Sequence, residues 1–163
     1  ASRSKILFSK YLTTILFGFY MILLYFVISF IIGIVLFGFA EMDGTDRLIR
    51  NLAFNYLTGS IKVLMISTLA FAISTIFRSS VLAVGFPLLL ALSGDIIVQI
   101  MSEAKIALGK YIVFANTNFQ QYFDSKPLFE GMSFSFSLII LVAYLVIYLG
   151  SAWLVFVKRD VTH

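Results

Sequence analysis

Hydrophobic and polar positions along this chain fall into long blocks, not into the short periods of a soluble fold. After a basic opening, Ser2 to Leu12 with the sequence SRSKILFSKYL, no charge follows Lys10 until Glu41. A helix needs roughly 20 apolar residues to cross the hydrocarbon core, so a first span is predicted over 12–39 with length to spare. The surplus implies tilt, a kink or emergence past the headgroups, and Gly18, Gly33 and Gly38 are places where a neighbouring helix can approach closely. The basic opening is predicted as a short amphipathic helix of its own, over 1–11. Glu41 to Arg50, EMDGTDRLIR, is the most polar stretch and reads as a solvated loop around Asp43-Gly44. Its acids lack EF-hand spacing.

The second span, 56–77, is interrupted by Lys62, and the polar cluster Arg78-Ser79-Ser80 then turns the chain. A third span follows over 81–101, broken by Pro87 and by Gly94-Asp95. Pro87 is expected to kink that helix, because its lost backbone hydrogen bond is tolerated in membranes where neighbours compensate. Residues 102–131 mix charges with IALGKYIVF and the polar-aromatic ANTNFQQYF. No part of that segment is long and apolar enough to span, yet it is too hydrophobic for a plain loop, so short re-entrant or interfacial helices are predicted. Asn116, Asn118, Gln120 and Gln121 are candidates for substrate contact at the outer mouth or, more simply, for capping and turns. The last span, 134–157, stops at Lys158-Arg159-Asp160, with Trp153 and the basic pair marking an interface. The fold class expected is therefore all-α integral membrane: four spans in one transmembrane domain.

One juxtaposition follows from spacing. Lys62 lies 16 residues before Arg78 and Asp95 lies 17 after it, so in two antiparallel helices they reach nearly the same depth. At 1.5 Å per residue that is roughly 25 Å from the turn. The two are expected to approach each other, directly or through water; the alternative is that each snorkels separately to the headgroups.

Composition narrows the class. Of 163 residues, 61% are hydrophobic and 12% charged, 18 are Phe, and the mean hydropathy is +1.02. No soluble chain of this length hides that much apolar surface. The formal charge of +4 sits beside apolar runs, which points to headgroups and orientation and not to nucleic acid. Zero cysteines exclude disulfides and thiolate chemistry, and the one histidine, His163, is terminal. Four spans put both ends on one side. Arg3, Lys5, Lys10, Arg78, Lys158 and Arg159 on that side are denser than Arg47, Arg50, Lys105, Lys110 and Lys126 opposite, which favours a cytoplasmic location for both ends. The chain opens on Ala1, not Met, and nothing there resembles a cleavable signal, so an internal segment is expected.

The basic segment ending at Ser9-Lys10, the turn Ile76-Phe77-Arg78-Ser79-Ser80 and the closing Phe156-Val157-Lys158-Arg159-Asp160-Val161 occur in an order and spacing that resemble the permease subunits of type-2 ATP-binding-cassette (ABC) exporters. The group most similar in flavour is the bacterial bacitracin, lantibiotic and small-peptide export or immunity permeases. The resemblance covers essentially the whole chain; family members typically have six spans, so this sequence would correspond to the third to sixth. It implies that residues 2–10 form a coupling helix in a groove of a cytoplasmic ATPase subunit, with Arg3, Lys5 and Lys10 meeting acidic surface and Ile6, Leu7 and Phe8 as apolar anchors. It also implies a dimer with a second permease copy or a paralogue, in a bacterial cell membrane. The same residues would equally serve a membrane-surface helix binding anionic lipid.

No GxxxxGK[ST] loop is present, since Gly109-Lys110 is followed by Tyr111, so no cofactor is expected on this chain, and ATP and Mg belong to the partner ATPase. The cargo suggested by composition is amphipathic or hydrophobic, an antimicrobial or other small peptide among the options. A different class of reading is an unpowered membrane module, such as a secondary-carrier fragment or a scaffold subunit. An intramembrane enzyme ranks last, because Lys62 and Asp95 are the only interior ionisable groups besides tyrosines.

Overall fold

The computed structural model describes residues 3–37, 45–77, 79–123 and 127–158. Four of its helices are long and apolar enough to cross a membrane, and the described residues contain no strand. The first, α1, runs unbroken over Arg3–Phe37. The short amphipathic helix expected over 1–11 is therefore not separate from the span. No Pro or Gly occurs between Arg3 and Phe17, and Thr13 and Thr14 donate their hydroxyls to the carbonyls of Ser9 and Lys10, at 2.9 and 3.0 Å. Back-bonding of this kind hides side-chain polarity without breaking the ladder.

The second helix, α2 (Thr45–Phe77), begins inside the stretch expected to be a loop. Nothing between Thr45 and Thr58 breaks a helix, and apolar residues already recur from Leu48 onward. Asp43-Gly44 lies outside the described residues. The third helix, α3 (Ser80–Glu103), is capped by Ser79, whose Oγ accepts from the Leu82 N–H at 3.3 Å, and it carries a buried Pro87 in its interior. It ends where Lys105 enters the left-handed region at φ 53°. A 3₁₀ turn (Ala107–Tyr111), the short helix α4 (Val113–Thr117) and a second 3₁₀ turn (Phe119–Tyr122) make up the predicted non-spanning segment. The last helix is α5 (Phe134–Lys158).

α2 is the centre of the bundle. It packs against α1, α3, α4 and α5, and it buries Met65, Thr68, Ala72 and Ile73. By contrast, the apolar span of α1, Ser4–Leu36, has none of its most hydrophobic stretch buried. A helix that is apolar all round and uncovered needs lipid or another chain as its solvent. Of the glycines expected to serve helix contacts, Gly18 faces α2, where a Cβ would stand 3.7 Å from Val63 Cγ1. Gly33 faces nothing within 4 Å, and Gly38 lies outside the described residues.

Candidate functional site

With four alternating spans, the start of α1, the end of α2, the start of α3 and the end of α5 share one end of the bundle. The first turns of α1 are fastened there by three contacts. Leu7 is buried, the Trp153 indole N–H donates to Ser4 Oγ at 3.2 Å, and Tyr11 shares a 3.0 Å hydrogen bond with Thr68 while its ring meets Phe71 at 5.4 Å. α1 thus cannot shift at this end without disturbing α2 and α5.

The residues expected to meet a partner divide. Lys5, Ile6, Phe8 and Lys10 are exposed, with Phe8 at 65%. Leu7 is not a free anchor: at 8% exposure it is already packed within its own chain. A helix turns about 100° per residue, so Ile6, Leu7 and Phe8 point in three different directions, and only Leu7 meets the rest of the bundle. Trp153 stays half exposed at the end of α5, and Lys158 is exposed in the last turn. The Arg3 side chain, Arg78 and Arg159 lie outside the described residues. None of Lys5, Lys10 or Lys158 has a carboxylate partner among the described residues. A cleft of about 260 Å³ opens beside them between α1, α2 and α5.

At the opposite end the chain brings Lys62 and Asp95 together: the ammonium Nζ contacts Asp95 Oδ2 directly. Lys62 is 25% exposed and also lies over the Phe114 ring at 5.6 Å, while Asp95 is 64% exposed. Phe114 reaches this position only because residue 94 is glycine. A Cβ there would run into the aromatic ring. The non-spanning segment is thereby wedged between α2 and α3. Gly109 plays the same part for Phe129, so two glycines fix how closely the cap sits.

Behind this wedge lies a polar cluster that sequence reading did not assemble. Asn116 is fully buried; its Nδ2 donates to the Lys110 and Ile112 carbonyls at 2.8 Å each, and its Oδ1 accepts from Ser137 Oγ at 2.7 Å. The Ser137 proton is thus committed, and the Tyr122 hydroxyl donates to Ser137 Oγ at 2.5 Å. Burial pushes the Tyr122 phenol above its ordinary value of 10.0, partly offset by the Ser137 contact. Gln121 donates to the Ala115 carbonyl at 3.0 Å and accepts from the Leu128 N–H at 3.2 Å, and Asn118 accepts from the Gln120 N–H at 3.1 Å. Asn116, Asn118 and Gln121 therefore do structural work, closing carbonyls and amides that a short irregular segment leaves open. The signal for it in sequence was slight: Ser133, Ser135 and Ser137 alternate with phenylalanines at the head of the span, and only Ser137 is buried. Among the described residues no group of three His, Asp or Glu side chains gathers to hold a metal.

Comparison with known proteins finds relatives to which no activity is assigned. It is similar to "Uncharacterized protein YhcI" of Bacillus subtilis (strain 168), 38% identical over 175 residues, covering 99% of this chain and 56% of the relative. It is also similar to "Uncharacterized membrane protein YdbK" of the same organism, 29% identical over 160 residues, covering 98% of this chain and 65% of the relative. The chain thus spans less than two thirds of either relative. No solved structure matches it. A family model described as "Protein of unknown function (DUF2705)" matches residues 1–162, and the chain belongs to that family.

Proposed function

We propose that the protein is a membrane-spanning permease subunit of an ATP-driven ABC exporter, moving an amphipathic or hydrophobic substrate, small peptides included, out of the cell or the membrane. The observation that carries this reading is the exposed Lys5, Ile6, Phe8 and Lys10 at the head of α1, on a helix that continues without a break through the span. A partner pressing on these residues would move the whole of α1. The contacts from Leu7, Ser4 and Tyr11 would pass that movement to α2 and α5. Hydrolysis of ATP, with Mg, would take place in a separate cytoplasmic ATPase subunit, and two permease copies or paralogues would rock between conformations as it closes. In this reading the end bearing Lys5 and Lys158 faces the cytoplasm of a bacterial cell. Purification in mild detergent tests it: an ATPase subunit should accompany the permease, and its absence from every preparation would overturn the proposal.

A second reading, an unpowered membrane module, is favoured by one observation. The head of α1 is coaxial with the span and does not form a distinct surface helix of the kind the exporter resemblance implies.

A further inference from the structure

The cleft of about 260 Å³ at the head of α1 is built differently from the rest of the apolar bundle. Leu7, Phe71, Val155 and Phe156 supply apolar walls from three helices, while Lys10, Ser74 and Thr75 line it with polar groups. Thr75 has already given its hydroxyl proton to the Phe71 carbonyl at 2.9 Å. Ser74 has no hydrogen-bond partner among the described residues, and Lys10 has no carboxylate. Two donors without acceptors therefore face one small space. It is smaller than the roughly 300–1,000 Å³ typical of drug-sized ligand sites, and so suits a headgroup fragment.

We infer that this cleft binds the phosphate of an anionic phospholipid, with Lys10 and Ser74 as donors and the apolar walls receiving the glycerol backbone and the first methylenes of an acyl chain. Charge decides the sign of the ligand. Lys5, Lys10 and Lys158 stand at this end, whereas the described acids Asp46, Asp95, Glu103 and Glu130 all stand towards the other, so among the described residues the cleft is lined by a cation and by no carboxylate. Position decides its source. The cleft lies at the ends of three spans, and its α5 wall, Val155 and Phe156, falls in sequence between Trp153 and Lys158, which are the residue types that mark headgroup depth. A lipid phosphate is concentrated there, while a soluble anion must be recruited from water. The site shares Lys10 with the exporter reading but does not rest on it: Lys5, Ile6 and Phe8 do not line the cleft and remain available to a partner while a lipid holds Lys10.

Native mass spectrometry of the detergent-purified chain, titrated with phosphatidylglycerol and phosphatidylcholine of identical acyl chains, tests the inference. The expected result is one retained phosphatidylglycerol, held about tenfold more strongly than phosphatidylcholine, whose phosphate is the same but whose trimethylammonium brings a like charge up to Lys10. Lys10→Gln should remove that preference, Lys10→Arg should keep it, and Lys5→Gln should leave it unchanged. Ser74→Phe, which fills the cleft without altering any charge, should also abolish retention, with helix content by circular dichroism confirming that each variant folds. Equal retention of the two lipids, loss caused by Lys5→Gln as readily as by Lys10→Gln, or displacement by millimolar inorganic phosphate would each overturn it. The last two outcomes would point to diffuse charge attraction and to a free-anion site. Failure here leaves ATPase co-purification untouched, so the two proposals fall separately.

Discussion

The two ends of the bundle are built on opposite principles. At the cap end, the polar side chains of Asn116, Gln121, Tyr122 and Ser137 are hydrogen-bonded to groups of the same chain, Lys62 is matched by Asp95, and two glycines admit two phenyl rings at close range. At the head of α1, Lys5, Lys10 and Lys158 have no carboxylate partner among the described residues, as Lys105 and Lys110 at the cap have none; what sets this end apart is the cleft that stands open between helices. A satisfied polar network rigidifies, because every alternative arrangement leaves a buried group unpaired. Unpaired cations and an open cleft contribute little to folding and keep their interaction capacity for something else. On the proposed function, the difference separates the part of the molecule that holds its shape from the part that would engage a partner.

Changes at the cap should therefore be costly and changes at the head of α1 cheap, and a graded series of substitutions probes that contrast. The largest loss is expected for Asn116→Leu, which strands two carbonyls, those of Lys110 and Ile112, and leaves Ser137 with Tyr122 as its remaining partner. Each stranded group costs about 1–3 kcal/mol, and thermal unfolding in detergent should show the loss, whereas Lys5→Leu should leave the midpoint within error. Gly94→Ala follows, at about 1–3 kcal/mol, because the added Cβ must displace Phe114 and α4 with it. Alanine's better helix propensity, worth up to about 1 kcal/mol, works against this loss. Gly33→Ala isolates that propensity gain, since nothing lies within 4 Å of its Cβ position, and should be neutral or stabilising.

The Lys62–Asp95 contact should matter less. One partner is 64% exposed, so either single neutralisation is expected to cost about 1 kcal/mol or less. The swap Lys62→Glu with Asp95→Lys should recover part of what the single reversals lose; a double variant no more stable than the worse single would argue against coupling. The smallest effect is on pH dependence. Tyr122 has a folded value above 10.0, so the unfolded chain releases its proton first on raising pH. Stability is then unaffected below about 10 and falls as pH rises through the interval up to the folded value. Tyr122→Phe should remove that alkaline decline in a detergent-solubilised circular dichroism series.

Much of the architecture was legible because lipid imposes a length rule that charge positions reveal. The blocks bounded by Lys10, Glu41, Arg78 and Lys158 correspond to the helices found, and equal spacing about Arg78 brought Lys62 and Asp95 to one level. Helix starts were less legible. Asp46, Arg47 and Arg50 read as a loop by polarity, but helices continue through polar residues until a breaker stops them, and α2 begins at Thr45. The separate helix expected at 1–11 failed for the same reason. Leu7 could not be told from Ile6 and Phe8 as an anchor without knowing which face α2 and α5 would cover. The Asn116–Ser137–Tyr122 cluster joins residues 21 and 15 apart through an irregular segment, and no periodicity encodes such a contact.

The central claim is that the head of α1 is where a partner ATPase acts. ATPase activity of the intact complex, purified with wild-type permease or with Lys5→Glu, tests it most directly. The account predicts that the ATPase subunit co-purifies with wild type and that the charge reversal lowers transport-coupled hydrolysis severalfold while leaving the unfolding midpoint of the permease unchanged. Hydrolysis indifferent to Lys5→Glu, in a complex that still assembles, would contradict it.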